Sequence, residues 1–120
     1  MSERVVLGIG MTTSAKTEDA LAAIAEFAAE GWMVIALATI EGKQARAQPV
    51  ADALGVRLQV WPSARLSSVV VPSPSDRVRA ETGTPSVAEA AAILTSGGGE
   101  LILGKTRHRG VTIAAACVID

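Results

Sequence analysis

A cluster of positive charge lies near the C-terminus, where Lys105, Arg107 and Arg109 flank His108, the only histidine of the chain. Arginine guanidinium groups bind carboxylates and phosphates through paired hydrogen bonds, and lysine adds a point charge. The run therefore suits a ligand that carries several anionic groups. An alternative needs no ligand, because positive charge on an exposed turn or edge strand also prevents a sheet from pairing with a neighbour. From the residues alone, both interpretations stay open.

A second candidate site is the start of a helix after Gly83. This glycine permits a backbone turn, Thr84 is a good N-cap, and Pro85 suits the first helical position. The helix start has an alternative position, in which Ser86 is the N-cap and forms a capping box with Glu89. Free N–H groups and the positive end of the helix dipole attract anions at such a position. A well-capped helix that binds nothing but its own backbone is the alternative.

Gly8 and Gly10 are expected to follow the first strand and to open the first helix, as in a dinucleotide-binding loop. Thr13 stands where the third glycine of that fingerprint belongs, and Glu41 is the acidic candidate for a ribose contact. A nucleotide site is therefore weakly supported. More generally, ligands of parallel sheets bind beyond the carboxyl ends of the strands, and we expect these glycines and Lys43 at that edge.

Nucleophilic and metal-dependent catalysis find little support in the residue pattern. Ser86 and His108 could pair in principle, but no spacing requires it, and Ser86 is already explained as a helix-start residue. One histidine and one cysteine, without clustered carboxylates, do not build a closed zinc or iron site. We therefore expect no metal and no cofactor, and we assign no catalytic residue. Candidate bases that burial could tune are the carboxyl groups of Glu41, Asp76, Glu81 and Glu89.

Composition indicates one cytoplasmic domain. The chain has 120 residues, 49% of them hydrophobic and 19% charged, which suffices for a packed core. A net charge of −1 provides no global field for nucleic acid or a membrane, and scarce aromatic residues remove stacking platforms for single strands. The longest apolar stretch is far shorter than a bilayer span, and no signal peptide precedes the first strand. Cys117 is expected to be a small, buried core residue.

Strand-like and helix-like segments alternate along the first half of the chain. Apolar runs predict strands at residues 5–9, 33–38 and 57–61. Amphipathic spacing predicts helices at residues 14–30 and 43–54. This order implies right-handed crossovers and a parallel sheet that is covered on both faces.

The second half is expected to complete the sheet with an antiparallel pair. Strands at residues 101–103 and 111–118 have a short connection, which favours a hairpin whose tip carries the basic run. An extended segment at residues 69–71, a short helix at residues 75–81 and the capped helix ending at Thr95 precede them. The predicted fold is an α/β class, three-layer α/β/α sandwich: a mostly parallel sheet with a C-terminal antiparallel strand pair.

Five segments occur in the order typical of one protein family. They are Gly8-Ile9-Gly10, Lys43 after Ala38-Thr39-Ile40, Val71-Pro72-Ser73-Pro74-Ser75, Gly83-Thr84-Pro85-Ser86-Val87-Ala88-Glu89-Ala90-Ala91, and Lys105 with Val111-Thr112-Ile113-Ala114. Together they resemble the CobE family of cobalamin biosynthesis, which is similar to the C-terminal domain of CbiG, a cobalt-precorrin-5A hydrolase. The likeness covers nearly the whole chain, and the block that begins at Gly83 is its specific part.

The resemblance implies a domain that handles a corrin-ring intermediate, such as a precorrin or a tetrapyrrole like hydrogenobyrinic acid. Met11 and Thr12 depart from the family pattern, because members often carry Cys and Arg there. Gln44 and the residues after it also depart, because members often carry an acidic residue shortly after the lysine that matches Lys43. Nothing resembles the other domains of full-length CbiG, which favours the free-standing CobE type.

Corrin intermediates carry many acetate and propionate carboxylates around an apolar ring, so a protein that binds them needs cations and helix N-termini at its rim. The predicted function is binding and handling of such an intermediate in cobalamin (vitamin B12) biosynthesis, with other enzymes of the pathway as further partners. The alternative is a hydrolase that opens a precorrin lactone, as CbiG does. The predicted ligand-binding residues are Gly8, Gly10, Lys43, Thr84, Ser86, Lys105 and Arg107.

Overall fold

The computed structural model describes residues 3–69 and 87–119. Strands and helices alternate along these residues, and no helix among them is both long and apolar enough to cross a membrane. The elements are β1 (Glu3–Met11), α1 (Thr17–Phe27), β2 (Trp32–Ile40), α2 (Gln44–Leu54), β3 (Arg57–Trp61), α3 (Ser63–Ser67), α4 (Val87–Thr95), β4 (Leu101–His108) and β5 (Val111–Cys117).

The five strands form one sheet in the order β3-β2-β1-β5-β4. β2 pairs in parallel with β1 and with β3, whereas β5 is antiparallel to β1 and to β4. The α/β class and the antiparallel C-terminal pair are therefore confirmed. The expectation of a mostly parallel sheet fits in part, because two of these four strand pairings are antiparallel.

Helices cover both faces of the sheet, as the apolar run in β1 predicts. Side chains of neighbouring strand residues point to opposite faces, so Val6 and Leu7 belong to different core clusters. Leu7 shares its cluster with Ile24 of α1 and Val50 of α2. Val6 shares its cluster with Leu66 of α3 and with the buried side of α4. We call these two sides of the sheet the α1 face and the α4 face.

Helix α4 packs unusually close to β1, and small residues make this approach feasible. A Cβ built on Gly8 would lie only 1.8 Å from the carbonyl oxygen of Ala88 and 3.0 Å from the backbone nitrogen of Ala92. The helix residues 87–92 are all buried. The predicted helix end at Thr95 is confirmed, and the alanine-rich sequence of α4 reflects this direct contact with the sheet.

Strand β1 is longer than the apolar run indicates. It continues to Met11, which pairs with Val111 of β5, and α1 begins only at Thr17. Gly8 and Gly10 therefore lie inside a strand, and the prediction that they form a strand-to-helix loop is wrong. The physical reason is that β5 supplies hydrogen-bonding partners along the whole of β1. The loop that a dinucleotide fingerprint requires is absent at these glycines.

Strand β4 is also longer than predicted, and it contains most of the basic run. The expected hairpin is present, with a tight turn at Arg109 and Gly110, whose φ angles are 51° and 78°. Positive φ at both turn residues matches the twist of antiparallel strands. Helix α3 was not predicted from the sequence. The predicted helix at residues 75–81, and residues 70 and 71 of the predicted extended segment, lie outside the described residues.

Candidate functional site

The ends of several strands meet at one edge of the sheet, which we call the carboxyl edge. The parallel strands β1, β2 and β3 all end there. The β4–β5 turn reaches the same edge, because Met11 and His108 both pair with Val111. The backbone N–H of Thr12 donates a hydrogen bond to the carbonyl oxygen of Gly110 over 2.9 Å. The basic run and the end of β1 are therefore held side by side.

Three residues form a row across this edge on the α4 face. Thr112 pairs with Gly10 on one side and with Arg107 on the other. Cross-strand partners point to the same face, and Gly8, two residues before Gly10, lies directly under α4. Gly10 is half-buried, Arg107 is exposed, and a Cβ built on Gly10 would contact no atom of the described residues. We call Gly10, Thr112 and Arg107 the open row.

Lys105 lies next to the open row, at an irregularity of β4. Its backbone N–H donates to Oε2 of Glu89 over 3.0 Å rather than to β5. Glu89 belongs to the first turn of α4 and is completely buried. From the sequence, Glu89 is a capping residue or a candidate base, and its hydrogen bond to β4 is not foreseen. A sequence signal for this hydrogen bond does exist. Glu89 is a carboxyl group among alanines of an apolar helix, and a buried carboxyl group needs a hydrogen-bond partner.

Lys43 occupies the N-cap position of α2, immediately after β2. With strands about 4.8 Å apart, the ends of β2 and β4 are separated by roughly 14 Å. The guanidinium of Arg46 donates to the carbonyl oxygen of Thr13 over 2.8 Å, which ties the start of α2 to the chain after β1. Lys43 therefore lies at the same edge as Lys105 and Arg107, on the far side of β1.

The predicted ligand-binding residues fall into three groups. The first group, Gly10, Lys43, Lys105 and Arg107, is distributed along the carboxyl edge. Gly8 is buried beneath α4, where it permits the close packing of helix and sheet. Thr84 and Ser86 lie outside the described residues, so their part in the site stays a prediction.

His108 faces away from the open row. It pairs with Val111, whose side chain belongs to the core cluster on the α1 face. Its ring packs against Phe27 in an edge-on arrangement, with 6.4 Å between the ring centroids. Among residues 3–69 and 87–119, no group of three or more His, Cys, Asp and Glu side chains is arranged to hold a metal ion.

Trp61 places an aromatic ring at the carboxyl end of β3, a contribution that sequence reasoning missed. Its indole Nε1–H donates to Oγ1 of Thr95 over 2.8 Å. The guanidinium of Arg65 lies over the ring, 5.2 Å from its centroid. The composition does not indicate an aromatic contribution to the site, because aromatic residues are scarce in this chain. Its neighbour Ile40 is part of the core on the α4 face, so this end of the edge is apolar.

The distribution of charge differs between the two edges of the sheet. The lysines of the chain, Lys16, Lys43 and Lys105, all follow or lie near the carboxyl ends of strands. Glu3, Glu26, Glu30 and Glu100 lie at the opposite edge, where β1 and β4 begin and α1 ends, whereas Glu18, Asp19 and Glu41 lie near the carboxyl edge. Among the described residues, cations still outnumber carboxylates near the carboxyl edge, because Arg46, Arg107 and Arg109 lie there as well. The net charge of −1 therefore understates the local field that an anion meets at the carboxyl edge.

Cys117 lies near that opposite edge, and the prediction that it is a buried core residue is wrong. The side chain is half-buried, because it is close to the end of β5 beside Glu3. Its Sγ lies 3.7 Å from Oε2 of Glu3. Burial, and then the negative charge of Glu3, raise the pKa of the Cys117 thiol above its ordinary value. We therefore expect a smaller thiolate fraction for Cys117 than for a free cysteine at the same pH.

Comparison with known proteins identifies relatives of the whole chain. A family model described as "Cobalamin synthesis G C-terminus" matches residues 5–116. The 1.7 Å crystal structure of CobE, a protein from the cobalamin (vitamin B12) biosynthetic pathway, is similar with a TM-score of 0.83 and 27% identity, covering 100% of this chain and 97% of that chain. Cobalamin biosynthesis protein chiG from Agrobacterium tumefaciens str. C58 is similar with a TM-score of 0.74 and 30% identity, covering 97% of this chain and 99% of that chain. No curated protein sequence matches the chain.

Proposed function

The chain belongs to the Cobalamin synthesis G C-terminus family, and we propose that it binds a corrin-ring intermediate of cobalamin biosynthesis at the carboxyl edge of its sheet. The family match and the two similar structures confirm the predicted resemblance and the role in cobalamin biosynthesis. Corrin binding is our own inference. It rests above all on the open row, which joins a glycine that no described residue covers to an exposed guanidinium, at an edge where the lysines lie.

The proposed arrangement uses two kinds of contact. The apolar ring lies against Gly10, where the described residues leave room above the strand. The carboxylate arms extend toward Arg107 and Lys105 on one side and toward Lys43 on the other. A spacing of roughly 14 Å between the ends of β2 and β4 suits a macrocycle with acidic arms on both sides. The predicted contributions of Thr84 and Ser86 would add N–H groups at the start of α4.

The geometry favours a protein that binds the corrin intermediate without hydrolysing it. Hydrolysis at neutral pH needs a positioned base or an activated water. His108, the only histidine, faces α1 and contacts Phe27, whereas Arg107 faces the opposite side of the sheet. His108 therefore lies on the other side of the sheet from the open row. The hydrolase alternative therefore predicts a product that we do not expect.

The direct test is a spectrophotometric titration of the protein with hydrogenobyrinic acid. We expect a spectral change, an affinity that falls as salt rises, and a loss of about 1–3 kcal/mol in Arg107→Ala, since a charge-assisted contact is removed. Arg57→Ala is the matched control, because Arg57 is an exposed arginine at the start of β3, away from the carboxyl edge.

Three results would change the proposal. A wild-type spectrum that does not respond to the corrin would exclude binding. Equal losses in Arg107→Ala and Arg57→Ala would mean that the carboxyl edge is not the site. Release of a two-carbon fragment from a precorrin lactone by the purified protein would replace binding with hydrolysis.

A further inference from the structure

Strand β4 contains an extra residue just before the basic run. Leu103 pairs with Ala115 and Thr106 pairs with Ile113, so Gly104 and Lys105 both stand opposite the single residue between Ala115 and Ile113. Two residues opposite one define a β-bulge. A bulge interrupts the regular ladder, and the N–H group that it frees needs another acceptor.

Glu89 provides that acceptor from a different layer of the fold. Its Oε2 accepts the N–H of Lys105 over 3.0 Å, and a Cβ built on Gly104 would be 3.5 Å from the same oxygen. Glu89 is completely buried on α4. The bulge is therefore in direct contact with the helix that packs on Gly8, through a carboxyl oxygen that the core holds in place.

The bulge determines which face carries the guanidinium of Arg107. Side chains alternate along a strand, and Leu103 points to the α1 face because its partner Ala115 belongs to that core. A first irregularity of β4 lies before Leu103, between Leu101 and Leu103. If the strand continued regularly from Leu103, Arg107 would also point to the α1 face. The extra residue reverses the alternation, as a one-residue slip does, and Arg107 instead pairs with Thr112 on the α4 face.

The same reversal explains the position of His108. If β4 continued regularly from Leu103, His108 would share the α4 face with the open row. With the bulge it pairs with Val111 and contacts Phe27 on the α1 face. The bulge therefore places the fixed charge beside Gly10 and moves the titratable ring away from it.

We propose that Glu89 is a positioning residue for the anion-binding rim, because its hydrogen bond to Lys105 holds the bulge that turns Arg107 toward the open row. This inference rests on the proposed function, since it assigns a residue to the same site. Glu89 itself does not contact the ligand. Its effect on binding passes through Arg107.

The first test needs no ligand. Cross-strand NOEs in the free protein report whether Arg107 lies opposite Thr112 or opposite Val111. We expect the wild type and Glu89→Gln to retain the Thr112 contact, because glutamine still offers an oxygen to Lys105. Glu89→Ala should lose this contact and gain the Val111 contact. If Glu89→Ala does not fold, Glu89→Met tests the same change while it fills the space. Retention of the Thr112 contact in both apolar variants would overturn the proposal.

The second test is a double-mutant cycle in hydrogenobyrinic acid binding. Glu89→Ala should weaken binding by about tenfold, as Arg107→Ala does, which corresponds to about 1.4 kcal/mol. The double variant Glu89→Ala/Arg107→Ala should bind no more weakly than Arg107→Ala alone, and Glu89→Gln should restore affinity. Glu100→Ala, which removes an exposed carboxylate just before β4, should bind like the wild type.

Together, the two tests distinguish failure of the positioning role of Glu89 from failure of the proposed corrin-binding function. Additive losses in the cycle would overturn the positioning role, because Glu89 would then act independently of Arg107. A changed strand register with unchanged affinity would show that Arg107 is not part of a binding rim, which overturns the proposed site and leaves the structural effect of Glu89 standing. A wild type that does not bind the corrin would overturn the proposed function, while the NOEs would still decide what Glu89 does to Arg107.

Discussion

Replacing Gly8 with alanine should strongly destabilise the protein, although the new methyl group is small and apolar. A Cβ at this position would lie 1.8 Å from the carbonyl oxygen of Ala88, where an ordinary contact begins at about 3.4 Å. The nearest atoms to this Cβ are backbone atoms of α4, so no side chain can rotate out of the way. Helix α4 must therefore move away from β1 by roughly 1.5 Å.

The cost of this movement can be estimated from packing. Overpacked cores lose about 1–3 kcal/mol, and a gap of 0.5–1 Å already removes roughly a quarter to a half of a dispersion contact. Because residues 87–92 are all buried, we expect the free energy of unfolding to fall by about 3 kcal/mol or more, at the upper end of that range. At about 3–6 °C per kcal/mol for a chain of this length, Tm should fall by roughly 10–15 °C.

Gly10→Ala is the matched control, because it makes the same chemical change two residues away on the same face of β1. A Cβ there meets no atom of the described residues, so stability should stay within about 1 kcal/mol of the wild type. Thermal and urea denaturation of the three proteins measure the difference, and corrin titration should show weaker binding for Gly10→Ala. Equal stability of Gly8→Ala and the wild type would refute the packing argument.

Three further predictions concern individual side chains. Glu3→Gln should speed alkylation of Cys117 by iodoacetamide at mildly alkaline pH. Removal of the negative charge lowers the raised pKa of the thiol and so increases the thiolate fraction. An unchanged alkylation rate would contradict this role of Glu3. Thr39→Val should lower the free energy of unfolding by about 1 kcal/mol, as measured by urea denaturation, because the buried hydroxyl donates to the carbonyl oxygen of Ile9 over 2.9 Å. An unchanged free energy of unfolding would mean that this hydrogen bond does not stabilise the fold. His108→Ala should leave corrin affinity nearly intact, because its ring faces α1, and a loss as large as that of Arg107→Ala would contradict the assignment of faces.

Much of the fold follows from patterns within short stretches of sequence. The end of α2 at Leu54 is predicted correctly, because Gly55 adopts the left-handed conformation that terminates helices, with φ at 71°. Strand β3 has the predicted bounds, Arg57–Trp61. Helix α3 has only five residues, which is too short for a helical period to show in the sequence. The extra length of β1 and β4 depends on partner strands that no local pattern reveals.

The candidate site is predictable in outline and not in detail. Parallel topology and a C-terminal hairpin suffice to bring Lys43 and the basic run to the same edge. The separate roles of the two glycines are not readable from the sequence, because they depend on where α4 begins and crosses β1. The half-exposure of Cys117 also depends on its distance from the end of β5 and on its neighbour Glu3.

Local sequence patterns suffice to predict the class of the fold, the order of its layers, the family resemblance and the concentration of positive charge near the C-terminus. These properties depend on residues within a turn of helix, within one strand, or simply on composition. The faces of the sheet that Arg107 and His108 occupy depend instead on long-range contacts. The direction of Arg107 depends on a bulge whose freed N–H group finds its acceptor on Glu89, sixteen residues away and in another layer. No local preference encodes that choice, because the two strand registers differ only in the contacts they make with the rest of the fold.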